Sequence, residues 1–428
     1  MHLHLSYLRR GLFTVIVGAL LSSCGPASAP VSSLPSPSAA PSVAPNAAPS
    51  ASAAPSVAAS AAPSASAAPS EVEGVLPAPL LFMREGQIVR MERDGKTITA
   101  ITEEQPGQPD ILAVIGFDVS PADGALAYVV QGRDGNQLIR TDASGQQRTT
   151  LLSNIGVNNV RWSPDGKQLA LQISDPIAPG AGPVGGVYLL AADGGDPQLL
   201  QPNERPDPTQ PVADVRGYMP VAWSPDGAQL LLSAYSLTVE TCDAAVKDLA
   251  SGALTPIQAP QGMASGCASG QWSSDSRSIY IQMNRPGPQP PVPGLWQADA
   301  RSGAITPFIQ GEGSESGTYQ LVTNQRPLQD GSIYAFVAVT DTLPEPFSGA
   351  VNPLQYKLFH GSQTDGRFLS DESFSIVGQG LWAADTSGVV VDLDKGEGQI
   401  VTAWIPLDGG PVVELGPFMG EAKLWARN

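Results

Sequence analysis

Apolar residues alternate with other residues in several short runs of this chain. Leu169, Leu171 and Ile173 do so within Gln168–Ile173, and Ile279, Ile281 and Met283 within Ser278–Met283. A period of two places alternate side chains on one face of an extended strand. Gln229–Ser233 reads as a further strand of this kind. All three runs follow directly on a tryptophan-bearing turn: Arg161-Trp162-Ser163-Pro164-Asp165-Gly166, Ala222-Trp223-Ser224-Pro225-Asp226-Gly227 and Gln271-Trp272-Ser273-Ser274-Asp275-Ser276. From about Pro77 to Asn428 the chain repeats this unit at roughly 43–63 residues, the range in which repeat architectures announce themselves.

Weaker copies share the frame. Val119-Ser120-Pro121 leads to Asp123-Gly124, Trp382 stands three residues before Asp385, and Gln329-Asp330-Gly331 precedes Ser332–Val339. The weak units leave the count open between six and eight. A second signal makes it seven: the turn dipeptides Asp94-Gly95, Ser144-Gly145, Asp193-Gly194, Ser251-Gly252, Ser302-Gly303, Asp365-Gly366 and Asp408-Gly409. Each closes the third strand of a unit, because Gly reaches positive φ freely and Asp or Ser bonds the local backbone. The first unit opens on Leu80–Arg84 with no tryptophan turn before it, and the chain ends on Ala422–Arg427 with Trp425 in the tryptophan slot. That arrangement predicts a ring in which the last strand completes the first blade and removes two open sheet edges.

Trp-Ser-Pro-Asp-Gly, a β-run, and an Asp-Gly turn about 25–30 residues later resemble the PD40 (WD40-like) repeat of TolB-like β-propellers. The resemblance spans nearly all of residues 77–428 and implies an all-β, seven-bladed propeller of four-stranded blades. It departs from TolB itself in lacking a separate N-terminal α/β domain, in its N-terminal cysteine and in having seven blades rather than six. Asp165, Asp226 and Asp275 are expected to cap backbone amides in their turns, not to bind metal. Trp162, Trp223, Trp272, Trp382 and Trp425 are expected to pack blade against blade.

Residues 1–23 read as a bacterial signal peptide: Arg9 and Arg10 are followed by an apolar run, Gly11 to Leu21, too short for a permanent span. Leu21-Ser22-Ser23-Cys24 resembles a lipobox, which implies cleavage before Cys24 and lipid on its thiol. Residues 24–75 form a tether: Gly25 to Ser70 carry no charge and are almost wholly Ala, Pro and Ser, a composition that buries no core. Extended, it would reach roughly 140 Å. Residues 76–428 are then the folded domain, held outside the cytoplasm on a bacterial membrane, facing the periplasm or the cell surface.

Charge and chemistry narrow the function. The formal net charge of −17 argues against nucleic acid as a partner. Of three cysteines, Cys242 and Cys267 remain after lipidation, and an oxidising compartment favours their disulfide. His360 is the one histidine of three outside the first four residues, which argues against a serine or cysteine triad, and no Gly-x-Ser-x-Gly elbow is present. No metal or cofactor is expected. Strand parity puts every short Asp-Gly or Ser-Gly turn on one face and the long insertions Ser174–Gly186, Gln201–Arg216, Asn284–Gly294, Gly311–Gly317 and Asp341–Leu354 on the other. Long loops on a rigid scaffold carry binding, so Arg205, Asp214, Arg216, Tyr218, Arg285, Tyr319 and Phe347 are the candidate contacts. The expectation is a monomeric, non-catalytic module for a ligand, an envelope protein or a cell-wall component. The alternative is a propeller hydrolase or a calcium-dependent, lactonase-like enzyme with its site at the channel mouth.

Overall fold

The computed structural model describes residues 74–104, 111–175, 183–205, 215–236, 242–259, 264–284, 294–310, 319–340, 354–420 and 422–427. The expected signal peptide, Cys24 and most of the tether lie outside them. Every regular element among the described residues is a strand.

Twenty-eight strands form seven four-stranded antiparallel sheets, the blades of a β-propeller. Blades 2 to 7 each take four consecutive strands. Their innermost strands are Ile111–Val119, Val157–Trp162, Arg216–Trp223, Ala264–Trp272, Tyr319–Pro327 and Ile376–Trp382. Blade 1 is closed as the sequence predicts. The terminal strand Lys423–Trp425 pairs antiparallel with Leu80–Arg84, matching Leu80 to Trp425 and Phe82 to Lys423. The seven-bladed count therefore holds.

The blade motif works through two devices. In the Ser-Pro-Asp-Gly turns the serine hydroxyl donates to the aspartate, Ser163 Oγ to Asp165 Oδ1 at 2.7 Å, and the same carboxylate oxygen accepts the backbone N–H of Lys167 at 3.1 Å. Ser224–Asp226 and Ser273–Asp275 repeat the contact at 2.6 Å each. These hydroxyl bonds hold all three carboxyls below their ordinary pKa. The aspartates are caps, as expected. The second device is an indole staple. Trp223 Nε1 donates to Arg161 O (3.1 Å), Trp272 to Ala222 O (3.2 Å), Trp382 to Asn324 O (2.7 Å) and Trp425 to Trp382 O (2.8 Å). Each bond ties a blade to the inner strand of the blade before it.

The strand alternation read in the sequence is only half of what is observed. Leu169, Leu171 and Ile173 are fully buried, but so is Ala170 between them. Val389, Val390 and Val391 are likewise buried in succession. A second strand sits mid-blade, and each blade face packs on a different neighbour, so neither face meets water. The outer strand of blade 6, Gly366–Phe374, is by contrast largely exposed. Of the seven turn glycines, six have positive φ, whereas Gly366 instead pairs with Gly361 at the start of its strand. At Gly303 (φ 69°) a Cβ would stand 2.0 Å from Pro256 O, so no other residue fits there.

The closing strand has its own lock. Lys423 Nζ lies 2.6 Å from Asp392 Oδ2, and the two side chains are 1% and 0% exposed. Asp392 Oδ1 also accepts the Thr402 hydroxyl at 2.5 Å, and Thr402 Oγ1 accepts Met419 N at 3.0 Å. Lys423 donates as well to Gly420 O. Blade 7 thereby holds the strand that completes blade 1.

Candidate functional site: a polar channel

The seven inner strands surround a channel. Blades 1, 2, 3 and 7 line one cavity of about 450 Å3, and blades 3 to 7 line a second of about 240 Å3. Arg161, Gln379 and Gly380 border both. The inner strands of blades 2 to 7 each carry a register shift against their partner strand. Such bulges re-aim side chains and are frequent beside binding sites. In blade 6 the shift contains Asn324 at φ 53°. Its Oδ1 accepts Gly380 N at 2.7 Å while its own carbonyl accepts the Trp382 indole.

Amides and one guanidinium dominate the polar part of the lining. Gln282 Nε2 donates to Gln325 Oε1 at 2.9 Å, and Gln325 Nε2 to Tyr280 O at 3.3 Å. Arg161 is pinned by its own strand and the next: Nη1 donates to Val160 O at 2.8 Å and Nε to Val221 O at 3.0 Å. Asn159 Oδ1 is buried with no hydrogen-bond partner. Asp118, in blade 2, accepts Trp162 N on Oδ2 at 2.7 Å and Val119 N on Oδ1 at 2.9 Å. Burial pushes its pKa up, and the charges of Arg161 and Arg427 pull it back. This carboxylate makes the blade 2 to blade 3 link that an indole makes elsewhere; Trp162 Nε1 has no partner.

A third cavity, about 420 Å3, opens on the face of the Ser-Pro-Asp-Gly turns. It shares Asp118, Leu381 and Leu424 with the larger channel cavity. Arg326, Arg427, Asp385, Trp382 and Trp425 complete its polar and aromatic wall. None of these channel groups follows from the turn motif. Their signal was a charged residue on an inner strand, immediately before the turn: Asp118 before Val119-Ser120-Pro121, and Arg161 before Trp162.

The loop residues expected to bind are placed unevenly. Asp214, Arg285 and Phe347 lie outside the described residues, as does the side chain of Tyr319. Arg205 is exposed. Arg216 opens the inner strand of blade 4 and pairs with Asp243 at 2.8 Å. Tyr218 corrects the expectation of a contact residue: it is 5% exposed, packed with Trp223 and Leu232. Its hydroxyl donates to Glu204 Oε1 at 3.1 Å, and burial, with that carboxylate beside it, pushes its pKa up to about 12. Inward orientation on the strand, invisible in loop parity, decides this. Cys242 is buried in the third strand of blade 4, while the side chain of Cys267 lies outside the described residues.

His360 does meet a serine and an aspartate, in an order unsuited to a triad. Ser332 Oγ donates to Asp330 Oδ1 at 2.6 Å and also contacts His360 Nε2 at 3.1 Å. The serine proton therefore goes to the carboxylate, not to the imidazole that a nucleophile would need as base. Asp330 is one more turn cap, its carboxyl held below the ordinary value chiefly by Ser332. Among the described residues, no three His, Cys, Asp or Glu side chains gather as a metal site.

No protein-family model matches the sequence. No curated protein matches it either. Solved structures do. The propeller is similar to a prolyl endopeptidase (11% identity, TM-score 0.53, covering 83% of this chain and 51% of that one). It is similar to an oligogalacturonate lyase in complex with manganese (13% identity, TM-score 0.52, covering 79% and 83%). TolB from Acinetobacter baumannii is also among the matches, at 16% identity and TM-score 0.40, covering 73% and 65%. The chain thus spans about half of that endopeptidase and just under two thirds of that TolB. At such identities the likeness concerns the fold. With its repeated tryptophan turn, indole staples and strand-closed ring, the chain folds as a seven-bladed β-propeller.

Proposed function

We propose that this chain is a non-catalytic binding module at the bacterial cell envelope, held outside the cytoplasm by lipid on Cys24 and spaced from the membrane by the Ala/Pro/Ser tether. One observation supports it above others: the polar part of the channel lining is mainly amides, with a guanidinium fixed by backbone carbonyls. Amides donate and accept hydrogen bonds but neither titrate nor attack at neutral pH, so such a wall suits recognition. The domain acts as a monomer. A protein or cell-wall partner docks through the long loops, with Arg205 and Arg216 as contacts.

Cys242 pairs with Cys267, across blades 4 and 5. Closing a loop of about 25 residues contributes roughly 3 kcal/mol. Two reactive thiols per denatured, unreduced domain would exclude the bridge.

The test of function is a pull-down from solubilised envelope alongside an ester, peptide and glycoside substrate panel. A specific partner lost on charge reversal at Arg205 and Arg216, with no turnover, is the expected result. Hydrolysis of any panel member would instead favour the propeller-hydrolase reading, and a calcium-dependent melting shift a lactonase-like one.

A further inference from the structure

The cavity on the turn face contains a cation that pairs with no described residue. Arg326, on the inner strand of blade 6, is half-buried, and its Nε is buried without a hydrogen-bond partner. Among the described residues its guanidinium makes no ion pair. Burial lowers its pKa, as befits a charge removed from water without compensation. A half-buried unpaired guanidinium is costly, and an anion would relieve that cost.

The surroundings favour one. Arg427 shares the cavity, and Arg161 stands beyond Asp118 in the connected channel. Lys423 is neutralised by Asp392. Two acids line the cavity with its two arginines, and both acids are held in hydrogen bonds. Asp385 caps the Ser387 hydroxyl and backbone N–H at 2.7 and 3.0 Å, and Asp118 is bound to two backbone N–H groups. The cavity's own charges balance, Arg326 and Arg427 against Asp118 and Asp385, but among the described residues neither carboxylate pairs with Arg326. Leu381, Trp382, Leu424, Trp425 and Pro77 supply an apolar wall beside the cations.

We infer that the turn-face mouth of the channel is a binding site for a small carboxylate with an apolar body, its carboxylate on Arg326 and its body against Trp382 and Trp425. This rests on the binding-module reading but places a ligand on the face opposite the long loops.

The test uses the full chain in detergent. N-acetyl-leucine and its amide are titrated, with calorimetry and tryptophan fluorescence as readouts. The acid should bind saturably and about tenfold or more tighter than the amide, the usual worth of a charge-assisted hydrogen bond. Arg326→Met should abolish the preference. This variant removes only an uncompensated charge and is expected to fold, which its melting curve checks. Arg326→Lys should keep part of the preference. Equal binding of acid and amide, no saturable binding of the acid, or unchanged preference in Arg326→Met would overturn the site. If an envelope partner is captured equally by wild type and Arg326→Met while no carboxylate binds, the module reading stands and this site falls.

Discussion

Lys423 offers the sharpest test of ring closure. In Lys423→Met the ammonium disappears from a carboxylate that is fully buried. Asp392 Oδ2 loses its 2.6 Å partner, and Oδ1 keeps only the Thr402 hydroxyl. Removing one member of a buried ion pair typically costs about 3–5 kcal/mol, since the other charge stays desolvated. In a cooperative unit of this size each kcal/mol moves Tm by roughly 1–2 °C, so a drop of about 3–10 °C is expected. The perturbation also sits in the three-residue strand that completes blade 1. Amide exchange should therefore accelerate first along Leu80–Arg84 and Lys423–Trp425, before the other blades. The double variant Lys423→Met with Asp392→Leu removes both charges and should recover most of the loss. Urea unfolding of the two singles and the double gives the coupling. A single-variant cost below about 1 kcal/mol, or a double whose cost equals the sum of the singles, would refute the lock.

Other predictions follow from the same geometry. Trp382→Phe leaves Asn324 O without its 2.7 Å indole donor, at about 1–3 kcal/mol. Trp162→Phe, whose Nε1 has no partner, should cost measurably less in the same urea melts, and equal losses would sink the staple. Asn324→Ala should be less stable than Asn324→Gly by about 1 kcal/mol, because φ is 53° there and both variants lose the bond to Gly380 N. The turn aspartates set an acid limit. Asp165, Asp226, Asp275 and Asp385 are held below 3.8, and Asp94 at about 2, chiefly by hydroxyl hydrogen bonds. Groups depressed in the folded state add stability above their unfolded pKa and lose it as pH falls through the folded one. The urea midpoint should therefore hold from pH 7 to about 4 and fall toward pH 2; a flat profile over that range would contradict the caps.

Local chemistry made the fold legible. The tryptophan slot, the Ser-Pro-Asp-Gly cap and the Asp-Gly or Ser-Gly turns act within a few residues of themselves, so the repeat can be counted from the chain alone. Trp425 at the end and its missing counterpart before Leu80 even give the closure. The channel could not be read in that way. Asp118, Arg161, Arg326 and Lys423 are separated widely in sequence and meet only because seven inner strands, six of them bulged, converge on one axis. Loop parity assigned a face but not an inward turn, so Tyr218 fell in the core. What the sequence determined was each blade, because a blade is specified by neighbouring residues. What only the tertiary structure decided was which charges stay unpaired at the centre, because pairing there depends on side chains from different blades and on the water that packing excludes.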